Sequence, residues 1–208
     1  MTHDTKAKPF DGDKAAKIIR NVAQIDADAT LLIEALSEHM MEEATRVVAK
    51  SIKQPWMVVD TDWTPRIVYP AWKMAKGVGT GDAWLELTEI GPDDAEGLSW
   101  ISVAAGVGPT RMGLELVFRR GLQDVAKAAI FDNKVVAPLL KCGMIRQEDV
   151  WRVYFPVAVQ PELLAQAFTT NDFDKALAPV GQAVIRALEC KADLDRIVAH
   201  VRSAGARG

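Results

Sequence analysis

The chain has 208 residues, of which 49% are hydrophobic and 25% charged, and its formal net charge is -3. That length serves one large domain or two small ones and can bury most of its apolar surface. The charge excludes the basic excess of a typical nucleic-acid binder and any strongly acidic character. Cys142 and Cys190 lack a Cys-x-x-Cys spacing, so reduced, buried thiols are expected rather than a disulfide framework.

Residues 1–10 lack the apolar core of a signal peptide, and no later run approaches the roughly 20 apolar residues of a membrane span. The expectation is a soluble, cytoplasmic protein with frayed ends at 1–10 and 203–208. Asp11 or Asp13 can cap a short helix reaching about Val22, and Asp26 or Asp28 opens a longer one. In that second helix Ile33, Leu36, Met40, Ala44 and Val47 form an apolar stripe, with Glu34, Glu38, Glu42 and Arg46 elsewhere. Pro55 sets its limit.

From Trp56 the composition turns β-branched and aromatic, in short runs broken by Gly, Pro and Asp. Strands are expected over 56–60, 66–69, 83–90, 98–105 and 113–119. The third alternates Trp84, Glu86 and Thr88 with Leu85, Leu87 and Glu89, which gives it two faces. Residues 121–141 read as helix with Pro138 as a kink or break, 150–159 as the last strand, and the remainder as helices opening at Pro161 and at Asn171 or Asp172. The order predicts a single α+β domain over 1–208. Its centre is a mostly antiparallel sheet of about five strands packed against the N- and C-terminal helices.

The chemistry-bearing residues are sparse. His3, His39 and His200 show no metal-ligand spacing among themselves or with a cysteine, which argues against a zinc site or a His-based triad. The glycine runs at 76–82 and 105–111 match neither a phosphate loop nor a dinucleotide fingerprint and read as turns between strands. Acids crowd 82–96 with no Lys or Arg between them, and Glu86 could share a sheet face with Glu115 to hold a divalent cation, against the simpler reading of a solvated edge and turn.

A leading helix, Trp56 and Trp63, the run Tyr69-Pro-Ala-Trp72, the run Leu98-Ser-Trp-Ile-Ser-Val103 and the segment Asn171-Asp-Phe-Asp-Lys-Ala-Leu-Ala-Pro179 together resemble accessory regions of prokaryotic proteins of the PD-(D/E)xK nuclease superfamily. The catalytic pattern departs from that superfamily. Glu115-Leu-Val117 lacks the lysine, and Glu189-Cys-Lys191 lies on a predicted terminal helix. The resemblance therefore implies an accessory or binding module of prokaryotic type.

The leading expectation is a non-catalytic macromolecule-binding protein, its partner another protein, with no cofactor. Trp63, Arg66, Tyr69 and Trp72 are the candidate contact residues, because aromatic and arginine side chains are enriched at interface hot spots. Trp56, Trp84, Trp100 and Trp151 are expected in the core. The long terminal helices leave room for homodimerisation. The alternative is a metal-dependent nucleic-acid-processing enzyme with Glu86 and Glu115 as ligands. Nucleic acid is not supported by net charge, and no membrane association is expected.

Overall fold

The computed structural model describes residues 12–61, 64–72, 81–92, 99–147 and 151–206. Trp63, residues 76–80 of the glycine run before Asp82, and the acids at 93, 94 and 96 lie outside these residues. The architecture is α+β, with one six-stranded antiparallel sheet packed against helices. The strands are β1 (Met57–Thr61), β2 (Thr64–Val68), β3 (Ala83–Ile90), β4 (Arg111–Phe118), β5 (Ile145–Gln147) and β6 (Arg152–Val157). They lie in the order β1-β2-β3-β4-β6-β5, so the hairpin β5-β6 inserts its second strand beside β4.

The alternation read in β3 sets the sheet. Leu85 and Leu87 are opposite Leu116 and Leu114 of β4, and Leu114 is in turn opposite Phe155 of β6. All five are fully buried beneath the helices, each contributing about 1.5–3 kcal/mol relative to exposure. The other parity places Arg66, Glu86, Glu115 and Tyr154 in one row across β2, β3, β4 and β6. Trp84, Val117 and Tyr154 of this second face are only part-buried and stand outside the helix-covered hydrophobic cluster.

At the N-terminus, α1 (Gly12–Arg20) and α2 (Val22–Leu31) are separated by Asn21 alone, and α2 passes through a π-helical segment, Leu32–Leu36, into α3 (Ser37–Ser51). Of the predicted stripe, Met40, Ala44 and Val47 are buried, whereas Ile33 is 50% exposed. α3 packs on α8 (Ala178–Glu189) at Gly181, where an added Cβ would come within 2.9 Å of the Ser51 hydroxyl and 3.3 Å of Val47.

Several elements differ from expectation for local reasons. Residues 99–105 do not form the strand expected over 98–105. Ser99 is an N-cap whose hydroxyl accepts from the Ser102 N–H at 3.1 Å, and α4 (Trp100–Ala104) follows. The predicted 121–141 helix divides at Asp132, not Pro138. Asp132 is extended, caps α6 (Asn133–Lys141) through the Lys134 N–H at 2.8 Å, and ends α5 (Gln123–Phe131).

Asn171 closes α7 (Pro161–Thr170) in the left-handed region, φ 54°, rather than opening a helix. α9 (Lys191–Gly205) continues to Gly205, so the expected fraying does not begin at Ser203. Trp84, Trp100 and Trp151 are half-buried; of the four tryptophans expected in the core, Trp56 alone is buried. No helix among the described residues is long and apolar enough to cross a membrane.

Candidate functional site

Of the four proposed contact residues, the three described ones, Arg66, Tyr69 and Trp72, do not form one surface. Trp63 lies outside the described residues. Trp72 is 2% exposed, a correction to its expected role at a surface. A 3-10 turn over Pro70–Trp72 carries its ring inward, where it stands 5.1 Å from Trp56 and 5.8 Å from Tyr69 between ring centroids. Its indole N–H donates to Asp195 of α9 at 2.8 Å. Lys191, one turn earlier, bonds the same carboxylate at 2.5 Å and sits 4.3 Å from the centroid of the half-buried Tyr69 ring. The carboxylate of Asp195, then the Tyr69 hydroxyl, hold the Lys191 ammonium above its ordinary pKa. Trp56, Tyr69, Trp72, Lys191 and Asp195 thus tie the exit of β2 to α9.

Arg66 stands on the opposite face, where the structure brings it together with both candidate carboxylates. Glu86 is directly opposite Arg66 on one side and Glu115 on the other. Its carboxylate accepts from the Trp84 indole at 2.7 Å and from the Thr64 hydroxyl at 3.1 Å. The Arg66 Nε lies 3.1 Å away as an ion pair that lacks hydrogen-bond alignment. The guanidinium also covers the Trp84 ring, 5.2 Å from its centroid. Glu86 is saturated by its own neighbours.

Glu115 is not. Its side chain is 12% exposed and its nearest cation is the Nε of Arg152 at 3.8 Å. Burial pushes its carboxyl up to about 7, the Arg152 charge opposes that rise, and the Glu86 charge adds to it. Arg152 runs along the face as far as β3, where it donates to the Glu89 carbonyl at 2.9 Å. Tyr154 leans the same way over Gly113, where a Cβ would come within 2.7 Å of its ring. Burial raises the Tyr154 hydroxyl above its usual pKa. At the far edge, the Gln147 side-chain oxygen is buried without a donor among the described residues.

The row Arg66–Glu86–Glu115–Tyr154, with Trp84 and Arg152 beside it, is a part-buried polar surface on the face the helices leave. Sequence reasoning reached Arg66, Glu86 and Glu115 but missed Trp84, Tyr154 and Arg152. The odd-even phase of 150–159 could have found the last two, once β6 was known to lie beside β4. No group of three His, Cys, Asp or Glu suited to a metal ion occurs among the described residues. His39 packs at a boundary, 5.1 Å from Phe173 in an edge-on arrangement and 3.7 Å from the Glu42 carboxylate.

No family model matches the chain, and no curated protein or solved structure is significantly similar to it. What the fold and the site define is an α+β protein with one face of its sheet under helices and a charged, aromatic row on the other.

Proposed function

We propose that the chain is a binding module of prokaryotic type that engages another protein through this second face of the sheet, without catalysing a reaction. The observation that carries the reading is the row itself. Trp84, Arg66, Tyr154 and Arg152 are the residue types that dominate interface energetics, and Gly113 clears space for Tyr154 to lie flat beside them. Their charges are already paired within the chain, so a partner meets an ordered surface and little side-chain freedom is lost on binding.

The test is affinity capture from a native extract with wild type, Trp84→Ala, Arg66→Ala and Tyr154→Ala, read by quantitative mass spectrometry. A defined set of proteins lost with all three variants is expected. Retention of every wild-type partner by all three rejects the reading.

One observation favours a second reading, a metal-dependent nucleic-acid-processing enzyme related to the PD-(D/E)xK superfamily. Glu86 and Glu115 face each other on neighbouring strands, as two ligands of one cation would. The two guanidiniums beside them weaken it, because a divalent ion would sit against like charge. Titration with Mn²⁺ decides. Heat absent from wild type, or unchanged in Glu115→Gln, removes this reading and leaves the first standing.

A further inference from the structure

A different part of the molecule carries an inference independent of the sheet face. Every residue from Lys17 to Leu31 is exposed, and α2 buries none of its side chains. Within this arm Ile18, Val22, Ile25, Ala29, Leu32 and Leu36 follow one another at alternating steps of four and three. That spacing matches the a and d positions of a short coiled-coil seam, interrupted at Asn21 between α1 and α2. Ile18, Val22 and Ile25 are 47%, 49% and 44% exposed. α1 is set off from the rest of the rod by Asn21, and a helix of 9 residues falls short of the about 12–15 that persist alone in water, so this end of the arm gains most from packing. The seam calls for an occupant.

Charge along the arm says which one. Its first half is basic through Lys17 and Arg20, and its second half is acidic through Asp26, Asp28 and Glu34. A second copy laid antiparallel sets the basic half of each arm beside the acidic half of the other, whereas a parallel pair sets like against like. The acidic half also disfavours an anionic membrane surface, which selects for a basic polar face. In the antiparallel pair, Val22 of one copy can meet Ile25 of the other while Ile18 meets Ala29, setting large against small in the outer layers. We propose that the protein forms a homodimer through these N-terminal arms, paired antiparallel along the Ile18–Ala29 part of the seam.

The experiment is sedimentation of the full chain over a concentration series, for wild type, Ile18→Asp/Ile25→Asp and the sheet-face variant Arg66→Ala, at about 0.05 M and about 0.5 M salt. Circular dichroism serves as the fold control. The expected result is a wild-type dimer, and a dissociation constant raised at least about a hundredfold in the arm variant, because two buried isoleucines per arm are lost. Arg66→Ala should match wild type. Both substituted isoleucines are exposed, so the body of the protein should stay folded.

A monomeric wild type overturns the proposal, as does a dimer that survives the arm substitutions. A dimer that tightens as salt is added overturns the antiparallel arrangement, since paired opposite charges weaken under screening. Loss of captured partners with the face variants while the dimer persists would separate the two surfaces.

Discussion

Glu86 and Glu115 stand directly opposite each other on β3 and β4, and burial pushes the Glu115 carboxyl up to about 7. Glu86 is held by an indole, a hydroxyl and a guanidinium, whereas Glu115 is desolvated with its nearest cation 3.8 Å away. The folded chain therefore keeps a proton on Glu115 over a range in which the unfolded chain, at 4.5, has lost it. The native state binds more protons there, so stability falls as pH rises from about 4.5 to about 7, by about 3 kcal/mol from this group. Urea unfolding of wild type and Glu115→Gln across pH 4.5 to 8 checks this. The variant should gain on wild type as pH rises, and a flat difference would refute it.

Asp82, with its side chain 4% exposed, is shared by two arginines, Arg119 at 2.6 Å and Arg202 at 3.0 Å. Both arginines are more than a third exposed and can turn to water, whereas Asp82 cannot. Removing either arginine alone leaves the carboxylate one partner and should cost about 1 kcal/mol. Removing both leaves a buried, unpaired charge and should cost about 3–5 kcal/mol, well above the sum. A double-mutant cycle of Arg119→Ala and Arg202→Ala by denaturant unfolding measures that excess, and strict additivity would refute the shared clamp.

Cys142 is half-buried beside Asp193, with its thiol 3.4 Å from that carboxylate and Cys190 adjacent. Burial first, then the neighbouring Cys190 and Asp193, push the thiol up to about 12. The thiolate is the reactive form, so alkylation by iodoacetamide at about pH 8 should run on the order of a thousandfold slower than for an exposed cysteine. Asp193→Asn should speed it. A rate near that of a free thiol would contradict this environment.

The sheet's two-faced character was readable because β3 is long enough for its period to show. The alternation of Trp84, Glu86 and Thr88 with Leu85 and Leu87 states which side the helices take. Residues 98–105 carry no such alternation, since Ser99 and Ser102 stand three apart, the spacing at which an N-cap hydroxyl meets a backbone N–H, and the hydrogen bond from the Ser102 N–H to the Ser99 hydroxyl marks a capped helical turn. β5 has three residues, too few for any period. Glu86 and Glu115 could be suspected of sharing a face, but their register depends on pairing between strands far apart in sequence. Trp72 was misplaced for a related reason. Its indole is held inside by Asp195, 123 positions away, and no local pattern announces such a bond.

The π-helical segment at Leu32–Leu36 gives the first fifty residues a further property. A π turn closes on i+5 rather than i+4, so five of its residues advance around the axis about as far as four of an ordinary helix. The arm's seam, continued past Leu36 at its own spacing, would fall on His39, Glu43 and Arg46. α3 buries Ser37, Met40, Met41, Ala44, Val47 and Val48, and of these Met40, Ala44 and Val47 continue the series, each one position later. The extra residue absorbed by the wider turn is the one needed to keep both series on one side of a single rod. The hydrophobic interior of the molecule is thereby prolonged as a rail beyond its own boundary, and removing one residue from that turn would rotate the rail away from the side on which the body sits.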